Sequence, residues 1–188
     1  MRIVLASKSP RRKELLGRII PEFEIMSCEV DETLPPDVDI REGVELLAVR
    51  KGWAVAKDLE SDCMVISSDT LVERDGTALG KPRDEAEARS MLGSLSGRGH
   101  NVHTGVAVHY NGRVLSGTAT SSVFFRELSE EEIAEYVRTG EPMDKAGAYG
   151  IQGEGGKLVK KYDGDFDTIM GLSLKLTEEL IKGVSEDL

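Results

Sequence analysis

Residues 100–125 read HNVHTGVAVHYNGRVLSGTATSSVFF, and this run decides the class of fold. Two stretches rich in valine, threonine and aromatic residues flank Asn111-Gly112, the dipeptide that favours a two-residue hairpin turn. The spacing therefore predicts a long β-hairpin. A hairpin is antiparallel, so a strictly alternating β-α-β chain is excluded and a mixed or largely antiparallel α/β arrangement is expected. On the C-terminal side, Ser129 with Glu132 three places on forms a capping box and starts a helix to about residue 139. Residues 141–168 are glycine-rich and read as loop, and a closing helix is expected over about 172–181. On the N-terminal side, 84–95 reads as a helix behind LGKPRD, and Asp75-Gly76 marks a second hairpin. Residues 64–67 read as a short apolar strand running into SDTLV. Val44, Leu47, Ala48, Val55 and Leu59 recur at roughly helical spacing, which predicts a helix over 41–59. Residues 23–28 and 2–6 read as strands.

Composition narrows the function classes. The chain has 188 residues, 39% hydrophobic and 31% charged, with no internal repeat or low-complexity linker, so a single unit over 1–188 is expected. The formal charge of −10 argues against a nucleic-acid partner, which requires a basic footprint. No apolar run is long enough to span a membrane, and the N-terminus lacks a secretory pattern. Cys28 and Cys63 form no CxxC pair and read as buried, reduced thiols of a cytoplasmic protein.

Against this acidic background, LASKSPRRKELL (5–16) stands out. Ser9 suits an N-cap, Pro10 the first helical position, and Gly17 a helix stop. Two serines, Arg11, Arg12 and Lys13 gather at a positive dipole end, an arrangement relieved by a bound anion such as phosphate. A surface helix whose arginines meet water and local carboxylates fits the same residues. Asp31, Glu32 and Asp69 follow strands, Lys51 lies in a helix, and Lys81 precedes Pro82 at a helix entrance. Carboxylates beside cations are the groups that phosphoryl chemistry uses, to hold a divalent ion, prepare a water and stabilise phosphate charge. Asp69 interrupts an apolar strand, where a charge needs a partner or a purpose, although it also suits a local backbone turn. His100, His103 and His109 lack the spacing for one metal ion and read as strand surface residues. GAYGIQGEGG lacks the lysine and hydroxyl ending of a P-loop. Its glycines permit a close backbone approach around Gln152, whose amide can read a base edge.

LASKSPRRKELL, DET (31–33), RKGWAVA (50–56), SSDTLV (67–72), LGKPRDEAEA (79–88), HTGVAV (103–108) and EPMDKAGAYGIQGEGG (141–156) together resemble the Maf family of nucleoside triphosphate pyrophosphatases. The resemblance runs in order from Leu5 to about Leu172. It implies an elongated mixed sheet flanked by helices in two lobes with a central cleft, similar to the inosine triphosphate pyrophosphatases. It also implies a homodimer, and cleavage of a nucleoside triphosphate to monophosphate and pyrophosphate with Mg²⁺ or Mn²⁺.

By position, the resemblance makes Asp69 the proton acceptor and places Ser7, Arg11 and Arg12 toward phosphate. Arg12, Thr70 and Gln152 match the trio tied to substrate choice. Lys51 and Lys81 match lysines near the triphosphate, and Glu32, with Asp69, matches acidic residues that help hold metal. Thr70 and the GIQG loop resemble the branch acting on dTTP and UTP, with modified pyrimidine nucleotides as further expected substrates. Alternatives are a 7-methyl-GTP or ITP pyrophosphatase, or a nucleotide-binding regulator of septum formation. Two departures stand out: Gly52-Trp53 after Lys51, and Ser173 where the family often has proline.

Overall fold

The computed structural model describes residues 1–27, 29–60 and 62–185. Its sheet has seven strands in the order β2-β1-β3-β5-β6-β7, with β4 beside β3. The strands are β1 Arg2–Leu5, β2 Glu24–Ile25, β3 Cys63–Arg74, β4 Thr77–Leu79, β5 Gly99–Tyr110, β6 Arg113–Phe125 and β7 Val159–Asp163. β1 pairs in parallel with β2 and β3, whereas β3–β4 and β6–β7 are antiparallel, so the sheet is mixed as expected. Helices are α1 Pro10–Leu16, α2 Ile40–Ala56, α3 Glu85–Leu95, α4 Glu130–Arg138, α5 Phe166–Met170 and α6 Leu174–Ser185.

Local chemistry sets most of these boundaries. Asp75 and Gly76 (φ 50° and 76°), like Asn111 and Gly112 (φ 50° and 74°), take the left-handed pair that two-residue hairpins require. The Asp84 carboxylate accepts from the Glu87 amide at 2.8 Å and starts α3. At α4, Ser129 and Glu132 exchange amide hydrogen bonds of 3.2 and 2.8 Å, completing the capping box. Ser173 earns its place ahead of α6 by accepting from the Leu176 amide at 3.4 Å.

Four expectations change. The strand predicted over 23–28 shrinks to Glu24–Ile25, an exposed edge strand paired with β1, and Cys28 lies outside the described residues. The short strand over 64–67 is instead the twelve-residue β3, because its polar residues find partners rather than ending it. The closing helix begins later and runs to Ser185. Residues 141–168, read as loop, fold into three short 3-10 turns, β7 and the start of α5. Glu141 organises those turns. Its carboxylate accepts from the Tyr136 hydroxyl at 2.9 Å and from the amides of Gly155 and Glu154 at 3.1 and 3.2 Å.

The chain forms two compact units. The first comprises Met1–Thr70, Thr104–Ala119 and Gly171–Leu188, and the second Leu71–His103 and Thr120–Met170. In the first, Val4, Val55, Cys63 and Val65 pack together, with Cys63 a buried free thiol. α2 lies so close to β5 that a Cβ on Gly105 would stand 2.4 Å from the Val44 carbonyl oxygen. In the second, Leu92, Leu95, Phe125, Val137 and Tyr149 share one apolar core.

The histidines are not surface residues. His100, His103 and His109 are all buried. In the second unit, His100 Nε2 lies 2.8 Å from the Tyr149 hydroxyl, and His103 bridges Glu73 (2.7 Å) and Thr120 (2.8 Å). Burial pushes the His100 imidazole down to about 4. In the first unit, the His109 ring occupies the space where a Cβ on residue 52 would stand, 2.5 Å away, which accounts for Gly52. The neighbouring Trp53 is exposed and fills no core position. Among the described residues, no helix is long and apolar enough to cross a membrane.

Candidate active site

The first unit gathers Ser7, Arg11, Arg12, Glu32, Lys51, Asp69 and Thr70. Four elements contribute, with the loop ahead of α2 supplying Glu32. The turn after β1 carries Ser7, α1 carries the arginines, α2 carries Lys51, and β3 carries Asp69 and Thr70. Side chains along β3 alternate in direction, so neighbouring polar residues reach different partners. Ser67 donates to the α2 carbonyl of Ala48 at 2.7 Å, and Asp69 meets Lys51 of the same helix. Ser68 donates to the Gly171 carbonyl at 2.8 Å, and Thr70 meets Arg12. The hydroxyl-rich SSDT segment stays in the strand because each of these polar groups, three of them buried, has a partner.

Lys51 is the hub of the acidic side. Its Nζ lies 2.7 Å from Asp69 Oδ1 and 2.7 Å from Glu32 Oε1. Glu32 is over half exposed (57%), whereas the Asp69 side chain keeps only 12% of its surface. The Glu32 loop is fastened to α2 by Arg50, which donates to the carbonyls of Thr33 at 2.7 Å and Asp31 at 3.3 Å. Asp31 itself closes a turn by accepting from the Thr33 amide at 2.8 Å. It is a scaffold residue.

Arg12 is the hub of the basic side. Nε donates to the Gly171 carbonyl at 2.9 Å, Nη1 to Ser7 Oγ at 3.4 Å and Nη2 to Thr70 Oγ1 at 3.3 Å. Asp69 Oδ1 is 3.8 Å from Nη2. Burial pushes the guanidinium below its ordinary value; the Asp69 charge offsets this, and the neighbouring Arg11 charge adds to it. With three of five N–H donors committed, two remain for a ligand. α1 itself has only seven residues, and its Ser9 cap accepts from the Arg12 amide at a long 3.5 Å. The charge at this mouth therefore comes from side chains more than from the helix dipole.

Lys81 and Gln152 belong to the second unit. Lys81 is exposed between β4 and α3, and Gln152 is exposed in the turn between the second and third 3-10 segments. The partners that the sequence reading missed are Ser68, Thr104 and Gly171. Ser68 was visible only as one hydroxyl of SSDT. Gly171 acts through a backbone carbonyl, for which no side-chain signal exists.

The family model described as Maf-like protein matches residues 2–184. A relative in Bacillus velezensis named dTTP/UTP pyrophosphatase is 46% identical, covering 96% of this chain and 95% of its own. A relative of the same name in Moorella thermoacetica is 47% identical, covering 96% and 93%. Among solved structures, the Staphylococcus aureus Ham1 protein aligns over 96% of this chain and 91% of its own. Its TM-score is 0.50 at 18% identity, a likeness of fold.

Proposed function

This chain belongs to the Maf-like protein family, and from that premise we propose that it hydrolyses dTTP and UTP to the monophosphate and pyrophosphate. The observation that carries the reading is the Asp69–Lys51–Glu32 and Asp69–Arg12 constellation, a buried carboxylate between two cations on rigid elements. Asp69 Oδ1 takes both cations, and Oδ2 makes no hydrogen bond among the described residues, so it is the oxygen that holds and deprotonates the attacking water. The water then attacks the α-phosphorus, with pyrophosphate leaving in line. The two uncommitted Arg12 donors form a planar fork matched to phosphate oxygens, and Arg11 adds charge beside it. Lys51 holds Asp69 and Glu32 in register. The family resemblance assigns Lys81 to the triphosphate and, with Arg12 and Thr70, Gln152 to the choice of base.

The donor set fits a hard divalent cation. Among the described residues no cluster of three or more metal-binding side chains occurs, and Glu32 and Asp69 provide two carboxylates. Mg²⁺ and Mn²⁺ sites on nucleotides commonly use one or two carboxylates and draw their other oxygens from phosphates and water. Such an ion supplies charge neutralisation at the phosphates. We assign the protein to the cytoplasm and to a homodimer on the family resemblance.

The test is a pyrophosphate-release assay with dTTP, UTP, CTP, 7-methyl-GTP and ITP side by side, with Mg²⁺ or Mn²⁺. Turnover of dTTP and UTP is expected. Selective turnover of 7-methyl-GTP or ITP transfers the chain to another substrate branch, and binding without turnover of any nucleotide supports the regulator of septum formation.

A further inference from the structure

Gln152 is exposed, and its side chain makes no hydrogen bond among the described residues. Its place is therefore set by the backbone on either side. Ile151 packs against the apolar core of the second unit, and the rest of the turn is fastened by two side chains. Ahead of Gln152, the Gly150 amide donates to the Tyr136 hydroxyl at 3.2 Å. Beyond it, the amides of Glu154 and Gly155 donate to Glu141 Oε2 and Oε1. The Tyr136 hydroxyl donates to the same Oε1 at 2.9 Å, which joins the two fastenings.

The direction of each of these bonds is fixed by chemistry. A backbone N–H only donates, so the Tyr136 oxygen accepts from Gly150. Both oxygens of the Glu141 carboxylate take amide hydrogens, so the one Tyr136 proton goes to Glu141. Burial pushes the Tyr136 hydroxyl up and keeps that proton in place. The turn closes tightly on the pair. A Cβ on Gly155 would stand 2.4 Å from the Gly150 carbonyl oxygen and 2.5 Å from the Tyr136 hydroxyl. One on Gly153 (φ 86°) would stand 2.9 Å from Glu141 Oε2. The close backbone approach that the glycines around Gln152 permit is made against Tyr136 and Glu141.

We propose that Tyr136 and Glu141 are positioning residues for base recognition: the pair holds residues 150–155 in one shape, so that the Gln152 amide meets the base already in place. An amide pairs with a base edge through a donor and an acceptor at once, which requires a fixed distance and a fixed plane. A turn held by Ile151 alone leaves Gln152 to be ordered when the nucleotide binds, and that ordering weakens binding. The inference rests on the reading that Gln152 faces the base. Tyr136 and Glu141 touch no substrate atom and act through Gln152.

The experiment measures KM and kcat for UTP with Mg²⁺ on the full chain. The variants are Tyr136→Phe, Glu141→Gln, Gln152→Ala and the two doubles that carry Gln152→Ala, beside the wild type. KM does not depend on the fraction of folded enzyme, and Tyr136→Phe keeps the ring in its core. KM is expected to rise about tenfold in Gln152→Ala and about fivefold in Tyr136→Phe and in Glu141→Gln, with kcat within about twofold of wild type. In the Gln152→Ala background neither substitution is expected to raise KM further, because the side chain that they position is gone. An unchanged KM in Tyr136→Phe and Glu141→Gln overturns the proposal, and so does an equal rise with and without the Gln152 side chain. An unchanged KM in Gln152→Ala overturns it together with the base-reading role of Gln152, while leaving pyrophosphatase chemistry standing. A wild type inactive on UTP overturns the functional reading and this inference together.

Discussion

Replacing Arg12 by lysine keeps the charge and removes the fork. The arginine makes three hydrogen bonds, to Gly171 at 2.9 Å, Ser7 at 3.4 Å and Thr70 at 3.3 Å. A lysine ammonium on a flexible stem reaches fewer of these acceptors and holds no plane. The two longer bonds are weak, together about 1 kcal/mol, and loss of a two-point phosphate contact adds about 2 kcal/mol, or about a hundredfold in kcat/KM overall. The fold is expected to tolerate the change, because the Gly171 carbonyl keeps its bond from Ser68 and Thr70 keeps Thr104. The assay is steady-state pyrophosphate release from dTTP and UTP, with thermal unfolding in parallel. A lysine variant within about threefold of wild type would refute the reasoning, since charge alone would then suffice.

Three further outcomes are expected. Asp69→Asn keeps the shape and removes the proton acceptor, so kcat is expected to fall about a thousandfold while equilibrium titration still detects nucleotide binding; near-normal turnover removes Asp69 from that role. Gly105→Ala places a Cβ 2.4 Å from the Val44 carbonyl and 2.9 Å from Glu45 Cα, backbone that cannot rotate away, so denaturant unfolding is expected to show a loss of about 3 kcal/mol; a loss below about 1 kcal/mol means β5 and α2 part easily. His100 stays neutral down to about 4 when folded but protonates near 6.5 when unfolded, so its contribution is intact above 6.5 and lost as pH falls toward 4, by about 3 kcal/mol at most. His109, lowered by burial too, acts in the same direction. The fall in melting temperature between pH 7.5 and pH 5 is therefore expected to shrink in His100→Phe, and an equally steep fall excludes His100 as a source.

Much of the architecture was legible because short-range chemistry wrote it. Asn111-Gly112 and Asp75-Gly76 named their turns, and Ser129 with Glu132 named a helix start. What escaped the sequence depended on partners distant along the chain. β3 looked short because Ser67 and Ser68 are polar, yet their acceptors are Ala48 and Gly171, far away in sequence. The histidines looked exposed because nothing local reveals that Tyr149, Glu73 and Gly52 make room for them. The glycine-rich segment looked unstructured because its organiser, Glu141, is an ordinary charged residue. At the site, the motif residues Arg12, Lys51, Asp69 and Thr70 do converge within the first unit, whereas the backbone carbonyl of Gly171 leaves no mark in a sequence.

The central claim is that water, held by Asp69, attacks the α-phosphorus. Turnover of dTTP in water enriched with oxygen-18, followed by mass spectrometry of both products, tests it directly. The account predicts the label in the monophosphate and none in pyrophosphate. Label in pyrophosphate would place the attack on the β-phosphorus and contradict it.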